Sequence, residues 1–116
     1  MEPRVEESRY LLIDRGDDGT QHTPIGLEAY VDVDSGETPL RIYYHTVVSE
    51  QYAGKGLASF LVRTVLDDAI AQGRSIVPVC PYIAAWLPKH PEYADHVVRP
   101  TSEHRHLAQS ALRRGR

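Results

Sequence analysis

Cysteine is all but missing from this chain of 116 residues, where Cys80 stands alone. One thiol excludes an intramolecular disulfide and any zinc site built from several cysteines. A reducing cytoplasm is therefore the simplest expected location. Long apolar runs are missing too. None approaches the roughly 20 residues needed to cross a bilayer, so no membrane partner is expected. Basic residues are in no excess: 13 Lys and Arg stand against 16 Asp and Glu, for a net charge of −3. That balance argues against nucleic acid as a partner. The opening residues Met1 to Glu7 are polar and acidic. They have neither the apolar stretch of a secretory signal nor the acid-poor character of a transit peptide. The six histidines form no H-E-x-x-H or similar ligand spacing, so no metal is expected.

What remains is ordinary globular material, 41% hydrophobic and 25% charged, enough for one domain with a modest core. Residues 1–8 read as a loose start. Arg9 to Ile13 is a β-rich run that ends in the turn-forming stretch Asp14 to Gly19. From Pro24 to Val33 the apolar residues Ile25, Leu27, Ala29, Val31 and Val33 alternate with others, which predicts a strand with one buried face. Leu40 to Val48 is a third strand, aromatic and β-branched. Tyr43 and Tyr44 fall on its opposite faces.

The period then changes. Leu57, Leu61, Val65 and Ala69 form one stripe, and Ala58, Val62, Leu66 and Ile70 its neighbour. This predicts a helix with a broad apolar face, closed by Gly73 in a left-handed conformation. Ser75 to Val79 is a short strand, parallel to the third because a helix connects them. Pro78 implies that one side of it is unpaired. Tyr82 to Leu87 resembles a short helix, with Trp86 in the core and Pro88 and Pro91 limiting its length. The segment from Pro100 onward is charged, with weak helical character. The expected fold is an α/β mixed sheet: an antiparallel meander, a helix, a parallel strand and a short terminal helix. The domain should span residues 9–98, with a charged tail over 99–116.

The stretch from Val47 to Ala58 carries the most chemistry. A strand ends, Gly54 and Gly56 follow, and a helix begins. A helix N-terminus offers free N–H groups and a positive dipole end to a phosphate. Glycines let the backbone come close to an anion, and Lys55 adds charge. The spacing is neither a Walker loop nor a dinucleotide fingerprint. Read without further context, the two glycines serve equally well as a plain turn into the helix.

Gln51-x-x-Gly54-x-Gly56-Leu57-Ala58 resembles the Q/R-x-x-G-x-G/A signature of the GNAT N-acetyltransferase superfamily. Two further segments resemble those of a short, one-domain GNAT-like family. They are His45-Thr46-Val47-Val48 and Cys80-Pro81-Tyr82-Ile83-Ala84-Ala85-Trp86-Leu87-Pro88-Lys89-His90-Pro91-Glu92-Tyr93. The resemblance covers roughly Arg9 to Val97. It implies a minimal GNAT fold in which the third and fourth strands splay apart and pantetheine lies in the gap like an added strand. It also implies acetyl-CoA as cosubstrate. The backbones of Val47 and Val48 would meet the pantetheine arm. Gln51 and the loop Ala53, Gly54, Lys55, Gly56, Leu57 and Ala58 would meet the pyrophosphate. Relatives often carry an acidic residue where this chain has Val47, so one candidate base is missing.

The implied function is acetyl transfer to an unidentified amine, with a non-catalytic acyl-CoA-binding or protein-interaction module as the alternative. Cys80, at the end of the fourth strand, is a nucleophile that takes the acyl group, or a small buried core residue. Tyr82 is a proton donor to the departing thiolate, or a core ring with its hydroxyl at the surface. His45 is a base for the amine, or a hydrogen-bonding residue of the sheet. His90 is expected to organise its own turn. The acceptor and the oligomeric state stay open.

Overall fold

The computed structural model describes residues 4–14, 23–34, 38–48 and 56–114. Four strands form one mixed sheet in the order β1-β2-β3-β4. These are β1 (Arg4–Asp14), β2 (Thr23–Asp34), β3 (Leu40–Val48) and β4 (Ser75–Pro78). β1, β2 and β3 pair antiparallel, and β4 joins β3 in parallel. The crossover is the helix α1 (Leu57–Ala71), as the change from period two to period 3.6 predicts. The short helix α2 (Pro81–Trp86) follows β4, with Pro81 in its first turn. Two 3-10 segments, Leu87–Lys89 and Pro91–His96, take up the prolines that stop α2. Among the described residues, no helix is long and apolar enough to cross a membrane.

α1 ends as its sequence predicts. Gly73 has φ 74°, its N–H donates to Ile70 C=O, and Arg74 N–H reaches back to Ala69 C=O. These two bonds satisfy carbonyls that a helix end leaves open.

Three elements differ from the sequence reading. β1 begins at Arg4, inside the segment read as a loose start, because β2 runs to Asp34 and offers it a pairing edge. The charged segment after Pro100 forms the helix α3 (Ser102–Arg114). Its sheet-facing residues are small: Ala108 and Ala111 are buried among Val31, Val33, Ile42 and Val77. Alanine gives a weak apolar signal yet lets a helix lie close to a sheet. With α1 and α2 on one face and α3 on the other, the sheet is covered on both sides. β2 therefore does not have one buried face. Glu28 and Asp32, on the face opposite Val31 and Val33, are buried as well.

Asp32 is buried with a partner. Arg41 on β3 grips its carboxylate through Nε at 2.7 Å and Nη2 at 3.0 Å. The same guanidinium donates to Tyr10 on β1, to Asp68 on α1 and to Gln72 just after it. It also lies 4.3 Å from the centroid of the Tyr30 ring. One buried cation thus ties three strands to the crossover helix. The Tyr10 hydrogen bond, with help from Gln72 and Arg41, holds the Asp68 carboxyl below the usual carboxylate range.

Candidate functional site

The parallel pairing of β3 with β4 is short. It runs from Leu40↔Ser75 to Tyr43↔Pro78 and stops. Beyond that point the N–H groups of Val79 and Cys80 both turn to the Tyr43 carbonyl, at 3.0 and 2.8 Å. The chain then enters α2. β3 continues to Val48, still paired with β2. Among the described residues, no strand pairs with β3 on the β4 side beyond Tyr43. The two strands diverge here, and β3 is left with an open edge. Pro78, which has no N–H, sits where the ladder ends.

A β-bulge decides which side chains stand at this opening. Ala29 pairs with His45 and Tyr30 with Tyr43, so β3 carries one extra residue, Tyr44. Before the bulge, Tyr43 faces α1 and its hydroxyl donates to Val65 C=O at 2.6 Å. Strict alternation would put His45 on that same face. The extra residue reverses the phase. Thr46, opposite Glu28, now faces the α1 side, and His45, opposite Ala29, faces away.

The result is a buried polar chain. Thr46 Oγ1 donates to Glu28 Oε2. The same oxygen lies 3.0 Å from Cys80 Sγ. Cys80 itself is buried at 4% exposure and belongs to the apolar cluster of Leu61, Val62, Val65 and Ile83. Glu28 has no exposed surface. Among the described residues, its second oxygen, Oε1, finds no hydrogen-bond partner. Burial pushes the Glu28 carboxyl up to about 8, against the opposing hydrogen bond from Thr46.

Of the residues singled out from sequence, the structure brings Cys80 to the foot of the divergence. Tyr82, in the first turn of α2, is 42% exposed. His45 is exposed on the opposite face. Among the described residues, no hydrogen bond joins Tyr82 or His45 to Cys80. Val47 and Val48 lie on the open part of β3, and Val48 packs against the α1-side cluster. Gly56 precedes α1 with φ 73°, and a Cβ there would meet nothing within 4 Å. Leu57 and Ala58 open the helix. Gln51, Ala53, Gly54 and Lys55 lie outside the described residues.

The segment after Cys80 is a scaffold. His90 stacks on Trp86 with ring centroids 3.5 Å apart, and its Nδ1 donates to Trp86 C=O at 2.9 Å. Trp86 Nε1 donates to Ser59 at 3.0 Å, tying α2 to the first turn of α1. Tyr93 is buried and donates to Asp67 at 2.7 Å, which leaves its hydroxyl holding helix to turn. A separate open cavity of about 910 Å³ lies across the outer side of β4, between Pro78, Leu87, Val97 and Arg105. It includes none of Glu28, Thr46 or Cys80.

Sequence reasoning missed Glu28 and Thr46. Alternation along β2 leaves the Glu28 face to solvent, and a bulge leaves no local signature. A glutamate inside a run this apolar was the one available hint. Comparison with known proteins adds a family. A model described as GCN5-related N-acetyl-transferase matches residues 16–96. No curated protein matches the chain.

Proposed function

The chain belongs to the GCN5-related N-acetyltransferase family, and from that premise we propose that it transfers an acetyl group from acetyl-CoA to an amine acceptor. The observation that carries this reading is the divergence of β3 from β4 beyond Tyr43↔Pro78, which leaves an open strand edge beside Thr46 and Cys80. An extended, amide-bearing arm such as pantetheine pairs with such an edge as an added strand does. The residues present fit this role. Val47 and Val48 supply backbone on the open edge. Gly56 is a left-handed glycine with space around it, at the start of a 15-residue helix. Lys55 and Gln51 are the side chains proposed to meet the pyrophosphate.

When bound, acetyl-CoA supplies an activated thioester. The protein's task is to hold the carbonyl, polarise it and move protons. Val79 and Cys80 N–H groups are already committed to Tyr43, so the polarising donor has to come from the open edge of β3. Tyr82 is exposed two residues beyond Cys80 and is the proposed proton donor to the departing coenzyme sulfur. Cys80 is proposed to contact the acyl group. The reading rests on Cys80 and Tyr82 and not on His45, which stands on the other face.

The test is calorimetric titration with acetyl-CoA and coenzyme A, for the wild type and a Gly54→Glu, Gly56→Glu double variant, followed by an amine screen. Binding that the variant loses, with turnover of at least one amine, supports the proposal. Binding without any turnover, hydrolysis included, identifies a coenzyme-binding module instead. No binding by a folded wild type removes acetyl-CoA altogether.

A further inference from the structure

Glu28 is an expensive residue to bury. It has no exposed surface, and one carboxyl oxygen has no partner among the described residues. A buried acceptor left unsatisfied costs stability, so structural economy does not explain it. Its other oxygen is joined through a single hydroxyl to the only thiol of the chain. A bulge in β3 is needed to turn that hydroxyl inward.

We propose that Glu28 is the proton acceptor for Cys80, acting through Thr46, and that Cys80 takes the acyl group as a thioester before the amine receives it. This rests on the acetyltransferase reading above. Thr46 Oγ1 can accept one proton while donating another, which suits a relay. Burial raises the Glu28 carboxyl to about 8, so it can both take up and give back a proton close to neutral pH. The other titratable groups near Glu28 do not compete. Tyr10, its cross-strand partner on β1, turns its hydroxyl to Asp68 and Arg41. Burial raises the Tyr44 phenol, and the Glu28 charge adds to this. The helices α1 and α2 bring apolar Leu61, Val65 and Ile83 to the cluster around Cys80.

The step balances. The Cys80 proton passes to Thr46 Oγ1 as the Thr46 proton passes to Oε2 of ionised Glu28, the form that becomes populated as pH approaches about 8. The freed sulfur pair attacks the acyl carbon. The bond from that carbon to the coenzyme sulfur breaks, and its electron pair leaves as a thiolate that takes a proton from Tyr82, restored from water. The amine then attacks the Cys80 thioester and sheds a proton to water. Cys80 leaves with its electron pair and recovers its proton from Glu28 through Thr46. Glu28 touches no substrate; it acts on Cys80 alone.

Because Cys80 is the only cysteine, protein labelled with ¹³C at cysteine Cβ gives one thiol signal to follow against pH. In the wild type this signal should move in two steps, as a coupled pair requires. In Glu28→Gln, and in the isosteric Thr46→Val, it should move in one. A titration curve unchanged in both variants would overturn the relay, whether or not the protein binds acetyl-CoA. Intact mass after a short exposure to acetyl-CoA tests the transfer. Wild type should gain one acetyl group on Cys80, and both variants should gain it about 100-fold more slowly. Full amine turnover by Cys80→Ala would overturn the acyl-cysteine step while leaving the acetyltransferase reading intact. Two-step titration without acetyl-CoA binding would remove that reading and leave the relay standing.

Discussion

Replacing Glu28 by glutamine should stabilise the protein increasingly as pH rises from about 4.5 to about 8. Burial raises the Glu28 pKa from 4.5 to about 8, with the Thr46 hydrogen bond working in the opposite direction. In the unfolded chain the proton leaves near 4.5. Between these values the folded state binds more protons than the unfolded state, so stability falls as pH rises. The slope is about 1.4 kcal/mol per pH unit, and the whole window amounts to on the order of 5 kcal/mol. Below the unfolded value the contribution is constant, and above the folded value it levels off. Glutamine has nearly the same shape and no charge to desolvate. Urea denaturation of wild type and Glu28→Gln in steps from about pH 5 to about pH 8.5 gives the difference directly. The variant's advantage should grow through the window and then flatten. A difference that stays constant across the range would refute the argument, whatever its size, because a fixed offset reflects packing and not a displaced proton.

Three further perturbations follow from the geometry. Arg41→Met leaves the buried Asp32 carboxylate without its two-pronged partner and should cost about 3–5 kcal/mol by urea denaturation. Adding Asp32→Leu should recover a large part of that loss, and no recovery would mean that packing dominates the cluster. Gly73→Ala forces a residue with a Cβ into φ 74° where nothing crowds it, so the cost should be the backbone term alone, about 1–2 kcal/mol, with acetyl-CoA affinity unaltered in calorimetry. Ala108→Asp places an unpaired carboxylate where α3 meets the sheet, and should cost about 3 kcal/mol with a loss of helical circular dichroism. Unchanged stability would contradict the buried seat of α3.

The order of elements was legible from sequence because each depends on local pattern. Alternation marked β2, the four-residue stripes marked α1, and Gly73 marked its end. The place of the opening was legible only through the family resemblance, which implied that the third and fourth strands splay apart. Phase was not legible. The inward turn of Thr46 depends on one extra residue in β3 relative to β2, and that is a relation between strands. That both faces of β2 are buried depends on two helices: α1 lies over the face of Glu28 and Asp32, while α3 covers Val31 and Val33 with a contact face built from Ala108 and Ala111. The loss of an acidic residue at Val47 looked like the loss of a base. The Glu28 carboxyl, buried on the neighbouring strand, meets Thr46 at the adjacent position.

The Arg41 cluster sits at the end of β3 where β4 is paired, and the divergence begins two residues later. Amide hydrogen exchange should therefore be graded along β3 and α1. Residues beside Arg41, Asp68 and Gln72 belong to a unit that opens only when β1, β2 and α1 come apart together, so their amides should exchange at rates set by global unfolding. Residues from His45 to Val48, paired on one side only, and the bulged Tyr44 should exchange through smaller local openings. The molecule is in effect a clothes-peg: its jaws can part without disturbing the spring.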